Sequence, residues 1–286
     1  MIDARNWRKG VVVMALLCLQ LGPLLANMGE PFQIVVEKEE EVDSKLRSIV
    51  SEKLKECPPG CKLQIVAAKL TQTYLNPPVV ITIIQSIVPL DEQGRPHGQM
   101  DYYMQDRGGN PLRVVSYSHG KKNGKEQHFD HMKEGAKYIK YVQMEIPWKD
   151  DLIEGERISY YAKDLVSSKT SYVKGKASGE SIRYDKVGKV ESKCLMKDGY
   201  REGLFTEYWP ESGEIKKTVQ YKGGFIDGPV KEFYANGKLK REMSFAQDLL
   251  HGIEKEFEAD GKLIRTRYWV DGDKISREEY ESRQKK

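Results

Sequence analysis

Side chains that carry chemistry are scarce in this chain, which has five histidines and four cysteines in 286 residues. It contains no nucleophile elbow, no phosphate-binding loop and no zinc-protease helix. The one histidine pair, His128 and His131, falls in a predicted strand and turn, where a separation of three residues places the rings on opposite faces. The sequence therefore predicts no catalytic residue, no metal site and no cofactor, and hence a protein that is not an enzyme.

Neither sign of charge dominates, because 47 Lys and Arg residues are balanced by 43 Asp and Glu residues for a formal net charge of +4. The signs are interleaved without a basic stripe, which argues against nucleic acid as the main partner. The same balance gives little attraction to anionic lipid, so association with a membrane surface is the least supported alternative. Hydrophobic residues make up 39% of the chain, a fraction typical of a thin core.

The chain also lacks a hydrophobic run of full membrane-spanning length. The uncharged segment 11–26 has 16 residues, whereas about 20 are needed to span a bilayer. It follows Arg5, Arg8 and Lys9, which is the order of features in a secretory signal peptide. We predict a signal peptide at 1–26 and export to the periplasm, the cell envelope or the medium. A retained membrane anchor and a cytoplasmic hydrophobic segment are the alternatives.

What the sequence does contain is a repeat. A glycine that follows a polar residue recurs seven times, and an aromatic ring lies five residues after each one. These repeat glycines are Gly98, Gly124, Gly155, Gly179, Gly203, Gly228 and Gly252. The rings, which we predict to be the stacked core, are Tyr103, Phe129, Tyr160, Tyr184, Tyr208, Phe233 and Phe257. From the third glycine onward the spacing is 24 or 25 residues, which indicates a repeat architecture.

Each repeat of about 24 residues fits two strands and two tight turns. Asn236-Gly237 is a hairpin signal because both residues tolerate a positive φ, and the repeat glycines are interpreted as turn glycines too. A second bulky position is predicted at Tyr117, Tyr141, Tyr172, Leu195, Tyr221, Phe245 and Tyr268. The predicted fold is mostly β, an elongated antiparallel sheet of about seven stacked β-hairpins over 97–275.

The segments YKGGFIDG at 221–228 and FYANGKL at 233–239 resemble the bacterial variant of the MORN repeat, as found in the YwqK-type antitoxin family. The resemblance extends over 98–272 and implies a scaffold that acts by binding. Taken literally, the family implies a cytoplasmic antitoxin that neutralises a toxin by direct contact. Because the chain begins like an exported protein, we predict instead a non-enzymatic exported scaffold. It would bind a protein or a cell-envelope component, of unknown identity, through an extended β-surface.

Four further rings lie next to a predicted core ring in the chain. They are Tyr102, Tyr161, Trp209 and Tyr234. Successive residues of a strand point to opposite faces of its sheet. We therefore predict that these four rings form a candidate exposed binding face.

Residues 27–91 lack the repeat and are predicted to be a small α+β region. Apolar residues at helical spacing over 42–56 predict an amphipathic helix, and 62–67 and 79–88 are predicted strands. Such a region would cover one edge of the repeat sheet, where exposed backbone groups invite pairing with other chains.

Two further features complete the chain. Cys57 and Cys61 form a candidate disulfide, with two free thiols as the alternative. The charged tail 276–286 is predicted to be a closing strand or a frayed helix that blunts the other edge of the sheet.

Overall fold

The computed structural model describes residues 32–36, 44–57, 60–72, 79–103, 111–134 and 137–285. The predicted signal peptide at 1–26 lies outside the described residues. The chain divides into two compact units, Met1–Gly120 and Lys121–Lys286. Antiparallel strands dominate both units, which confirms the predicted fold class. No helix in the described part of the chain has both the length and the apolar character to cross a membrane.

The first unit packs one helix on an antiparallel sheet. Its elements are β1 (Phe32–Val36), α1 (Ser44–Glu56), β2 (Lys62–Gln72), β3 (Val79–Leu90), β4 (Gly98–Tyr102) and β5 (Arg113–Ser118). Each strand pairs with the next, from β1 to β5. Val50 of the helix is buried against Leu63, Ile65 and Ile87 of the sheet. This unit ends at Gly120, so it includes the repeat glycine Gly98 together with the predicted α+β region.

A buried ion pair lies in this unit. Lys53 Nζ is 2.7 Å from Asp101 Oδ2, and the two side chains are 10% and 3% exposed. The Tyr103 hydroxyl donates to the same carboxylate over 3.2 Å. Burial alone would lower the pKa of Lys53, but hydrogen bonds and charges from Asp101 and Glu56 outweigh it and raise the pKa. The pair joins α1 to β4 through charge rather than through apolar contact.

The second unit is a meander of strands closed by a helix. Its first strands are β6 (Lys121–Glu134), β7 (Lys137–Lys149), β8 (Leu152–Ile153), β9 (Gly155–Ala162), β10 (Leu165–Val173), β11 (Lys176–Tyr184) and β12 (Val190–Lys197). Then follow β13 (Tyr200–Tyr208), β14 (Ile215–Lys222), β15 (Phe225–Phe233), β16 (Leu239–Ala246), β17 (Leu249–Leu250), β18 (Gly252–Phe257), β19 (Leu263–Val270) and β20 (Asp273–Ile275). The predicted tail is the helix α2 (Arg277–Gln284), which Ser276 caps by accepting from the Glu279 N–H.

Neighbouring repeats are joined at two-residue turns. Both turn residues have a positive φ, as in Asp198-Gly199 and Asp271-Gly272, which is the geometry of a tight hairpin turn. The N–H of the second turn residue donates to a carbonyl of the preceding repeat. Examples are Gly175 to Ile153, Gly199 to Ala177 and Gly272 to Leu250, at 2.8–2.9 Å. The turns therefore stack on one another, which fixes the register between repeats.

The repeat glycines do not lie in these turns, contrary to our interpretation. They lie at the start of a strand or inside it, and all seven have a positive φ, from +73° at Gly203 to +126° at Gly228. At Gly179, Gly203 and Gly228, three residues of one strand face a single residue of the preceding strand. Each glycine thus allows a bulge of two extra residues, because only glycine adopts these angles readily.

The structure also corrects the second bulky position of the repeat. The residues paired with the seven repeat glycines are Tyr117, Trp148, Tyr172, Met196, Tyr221, Phe245 and Trp269. The predictions at Tyr141, Leu195 and Tyr268 were wrong. Leu195 is 54% exposed and Met196 takes the paired position. A large side chain fits opposite each glycine because the glycine itself has none.

We expect Gly228→Ala to destabilise the second unit by about 2 to 3 kcal/mol. The φ of +126° suits only glycine, and an added Cβ would lie 2.9 Å from Cγ of Gln220. Gly203→Ala is the matched control, because its φ is +73° and nothing lies within 4 Å of its added Cβ. It should cost about 1 kcal/mol. Urea unfolding followed by tryptophan fluorescence measures both, and equal losses would contradict the assigned strain.

Candidate functional site

One face of the second unit carries an unbroken row of buried and half-buried side chains, one from each principal strand. From β6 to β19 the row consists of Glu126, Ile146, Arg157, Thr170, Ser181, Cys194, Phe205, Val219, Val230, Met243, Glu254 and Arg267. We call the side of the sheet that bears this row the packed face, and the opposite side the outer face. The row changes from charged to polar, then to apolar, and ends charged.

The apolar part of the row is the hydrophobic core of this unit. Val219, Val230 and Met243 are 3–6% exposed, and Phe205 and Tyr221 pack against them. Val230 and its counterparts stand two residues after a repeat glycine, a position that our sequence analysis missed. The signal was weak, because other repeats place Glu126, Arg157, Ser181 or Glu254 there.

The rings five residues after the glycines do not form this core. Tyr208 lies two residues beyond Thr206, on the outer face, and Lys193 of that face lies over its ring. The six rings of the second unit are half-buried, and each pairs with an aliphatic residue of the next strand: Val142, Val166, Val190, Ile215, Leu239 and Leu263. In the first unit, Tyr103 packs against the buried cluster. The rings therefore stabilise strand pairs rather than a stacked core.

Three of the four rings of the candidate exposed face, Tyr161, Trp209 and Tyr234, stand at equivalent positions of the second unit, six residues after a repeat glycine. Tyr102 belongs to the first unit, where Arg113 lies over its ring. Tyr161 and Tyr234 donate their hydroxyls to the carbonyls of Tyr184 and Phe257 in the next repeat, over 3.1 and 2.8 Å. Trp209 has a buried Nε1 without a partner. Tyr161 is the most exposed of the four, at 40%, and these hydroxyl contacts join neighbouring repeats.

Glu254 is the most completely enclosed charged group of the packed face, with 1% exposure. Its Oε1 accepts from Arg241 and Arg267 over 2.6–2.8 Å, and its Oε2 accepts from Nε1 of Trp269 over 2.8 Å. Burial by itself would raise the pKa of Glu254. The hydrogen bonds from Arg241 and Trp269 and the charges of both arginines outweigh it and lower the pKa. This carboxylate is a structural anion with all its partners in place.

The reactive side chains are dispersed. Cys57 and Cys61 are joined by a disulfide, and Cys194 is a half-buried free thiol whose pKa is raised by burial, against the opposing charge of Arg201. His128 Nε2 lies 2.6 Å from Glu126 Oε1, and it donates to this carboxylate in the tautomer that is protonated at Nε2. Across the residues that the structure describes, no group of three or more His, Cys, Asp or Glu side chains could hold a metal ion.

The outer face exposes a line of large apolar side chains. They stand three residues before four of the repeat glycines, directly after the stacked turns. These side chains, called the apolar ladder below, are Leu152, Tyr200, Phe225 and Leu249, with exposures of 47, 62, 54 and 50%. Their positions are equivalent in the repeat, and the intervening repeat has Lys176. Leu152 and Leu249 lie beside Gly175 and Gly272 of the next turns, so each rests on a turn while its outer side faces solvent.

Two segments of this sheet match a known repeat. Residues 226–247 and 250–271 match the family model of the MORN repeat variant. Each segment comprises most of a bulged strand and the strand that follows it, so the match falls on the structural repeat. No curated protein matches the chain. The second unit therefore contains MORN-type repeats and is a β-hairpin repeat scaffold of the kind that acts by binding.

Proposed function

We propose that this protein is an exported, non-enzymatic scaffold that binds a protein or a cell-envelope component through the outer face of its second unit. The apolar ladder is the observation that carries the proposal. Four large apolar side chains at equivalent positions remain about half exposed, although the same sheet buries Val219, Val230 and Met243 on its packed face. Exposed apolar groups that are aligned rather than scattered mark interaction surfaces.

The geometry of the ladder suits a long partner surface. Its residues lie on strands from β8 to β17, which span about eight strand intervals of roughly 4.8 Å, or about 38 Å in all. A few residues, often aromatic ones such as Tyr, provide most of the binding energy in protein interfaces. A partner that covered the ladder would bury all four anchors in one continuous contact.

Site-specific crosslinking in the source cells tests the ladder. A photoreactive benzoylphenylalanine at Tyr200 or Phe225 should give one discrete crosslinked product. The same group at Val187, which is 75% exposed in a turn at the other end of the hairpins, is the matched control and should give none. Equal crosslinking from all three positions, or from Val187 alone, would count against the ladder as the binding surface.

The compartment is tested separately by the N-terminus of the native protein. We expect a chain that starts near Asn27 in the envelope or the medium. An intact Met1 in the soluble cytoplasm would overturn export, and it would favour the alternative of an antitoxin-like protein that binds a toxin inside the cell. Mass spectrometry of fractionated source cells distinguishes the two.

A further inference from the structure

The packed face between β9 and β13 is polar and basic, unlike the apolar stretch that follows it. Its central row has Thr170, Ser181 and Cys194 where later repeats have valine and methionine. Small side chains leave a depression of about 160 Å³. Residues that line this depression include Ser181, Arg183, Ser192, Cys194, Arg201 and Phe205. The depression is therefore bordered by hydroxyl groups and two guanidinium groups.

Three arginines occupy this part of the packed face. Arg157 lies on β9, Arg183 on β11 and Arg201 on β13, and we call them the arginine patch. The Nε of Arg157 is buried without a partner, and its Nη2 contacts the Met144 sulfur at 3.3 Å. Arg201 donates to the Tyr221 hydroxyl and lies over the Phe205 ring. In the described part of the chain, neither Arg157 nor Arg201 forms an ion pair with a carboxylate.

Several acidic residues of the same strands lie on the other side of the sheet, but Glu207 of β13 lies on the packed face, where it pairs with Ser192 and Lys217 and its carboxylate is 2.7 Å from Lys216 Nζ. Glu156, Glu180 and Glu202 alternate with the packed-face positions and point to the outer face. Glu191 stands at a bulge, where its Oε2 is 3.9 Å from Nε of Arg183, and both side chains are about half exposed or more. The three arginines of the patch therefore outnumber the nearby carboxylates of Glu191 and Glu207, and Glu207 already pairs with Lys216. The patch has a surplus of positive charge.

We propose that the arginine patch binds an acidic, extended segment of a partner protein. The inference rests on the proposed function for the assumption that the partner is a protein. Guanidinium groups bind carboxylates through paired, charge-assisted hydrogen bonds. The arginines do not lie in line, because Arg183 pairs with Ser192 and Arg201 pairs with Met196, four residues away on β12. At roughly 3.3 Å per residue along a strand and roughly 4.8 Å per strand across the sheet, Arg183 and Arg201 are about 16 Å apart. A polyproline-II segment rises about 3.1 Å per residue, so carboxylates six residues apart, at about 19 Å, can reach both arginines.

Calorimetric titration of the full chain with synthetic peptides at low ionic strength tests this site. The probe is the capped peptide Glu-Ala-Pro-Glu-Ala-Pro-Glu, and the control probe has lysine in place of glutamate. We expect the acidic peptide alone to bind, and its affinity to fall as salt is added, because exposed charges are screened. Failure of the acidic peptide to bind, or equal binding of both peptides, would overturn the proposal.

Variants of the exposed arginines locate the binding. The double variant Arg183→Gln/Arg201→Gln should bind the acidic peptide at least tenfold more weakly while it remains folded. The matched control is Lys217→Gln/Arg265→Gln on the same face, whose side chains lie beside Glu232 and Glu256, and it should bind like the parent protein. The charge-reversed Arg183→Glu/Arg201→Glu should prefer the lysine peptide. Unchanged affinity of Arg183→Gln/Arg201→Gln for the acidic peptide would rule out the arginine patch as its binding site.

Two further probes distinguish the carboxylates of a protein segment from phosphate groups as the anions that the patch binds. Inorganic phosphate and a six-residue deoxythymidine strand should bind more weakly than the acidic peptide. Tighter, patch-dependent binding of either one would overturn the assignment to a protein segment. The crosslinking experiment tests the apolar ladder on the outer face, whereas the peptide titration tests the arginine patch on the packed face. Failure of one experiment therefore does not decide the other.

Discussion

Glu254→Ala should destabilise the second unit by about 3 to 4 kcal/mol, the range expected when one partner of a buried ion pair is removed. The substitution leaves Arg241, Arg267 and the Trp269 N–H facing a cavity that held their shared acceptor. Neither arginine is fully exposed, so solvent compensates only in part. Urea unfolding followed by the fluorescence of Trp148, Trp209 and Trp269 reports on this unit, since the chain's other tryptophan is Trp7.

The matched control for Glu254→Ala is Glu242→Ala on the outer face. Glu242 lies 3.1 Å from Lys231, but both side chains are about one-third exposed or more. Exposed pairs contribute at most about 1 kcal/mol. A loss at Glu242 equal to that at Glu254 would contradict the distinction between the two faces of the sheet.

The lowered pKa of Glu254 also predicts an acid dependence. A carboxyl whose pKa is lower in the folded than in the unfolded chain contributes stability above its ordinary value of 4.5, and that contribution is lost as the pH falls through the folded pKa. The parent protein should therefore lose more stability than Glu254→Gln does when the pH falls from about 5 to about 2. Parallel pH profiles for the two proteins would rule out this role for Glu254.

In the first unit, Lys53→Ala is expected to cost about 3 to 5 kcal/mol, because it leaves the carboxylate of Asp101 buried without its cation. The Asp101 side chain is 3% exposed, and among the described residues Gln99 and Tyr103 still donate hydrogen bonds to it. The described part of this unit has no tryptophan. Amide hydrogen exchange in β2 and β3 is therefore the measurement, and Lys55→Ala on the exposed side of the helix is the control.

A double variant separates charge from packing at this site. Lys53→Met with Asp101→Leu removes both charges and should recover much of the stability lost in Lys53→Ala, because an apolar pair needs no compensation for desolvation. If the double variant is less stable than Lys53→Ala, the ion pair is not the source of the effect. The raised pKa of Lys53 also predicts the direction of a pH dependence. The stability that its charge contributes is present below the ordinary pKa of 10.5 and is lost as the pH rises through the raised pKa of the folded protein.

Much of the repeat could be predicted from the chain. The spacing of the glycines and rings predicted stacked hairpins. Strand alternation together with Asn236-Gly237 indicated where the turn within a repeat lies. These features are local, because turn geometry and side-chain alternation depend on neighbouring residues. The helix α1 was predicted for the same reason, with its end at Glu56 as the structure has it.

The errors share a physical cause. A glycine with a positive φ fits a tight turn and a bulge equally well, and only the pairing with the preceding strand distinguishes them. Gly228 was therefore placed in a turn, although it lies within β15. The ring at Tyr208 was taken for core because its spacing is regular. Spacing alone does not reveal which face of a sheet is covered.

By itself, the sequence determined the repeat period, the antiparallel hairpins and the β-rich fold, because these follow from short-range backbone and side-chain preferences. Only the tertiary structure decided which face buries Val219 and Val230, that the carboxylate of Glu254 is enclosed, and that Arg157, Arg183 and Arg201 share one face. Those outcomes depend on the register across many strands. The bulges at Gly179, Gly203 and Gly228 each add two residues and so keep the alternation in phase, which lets single positions of distant repeats join one continuous row.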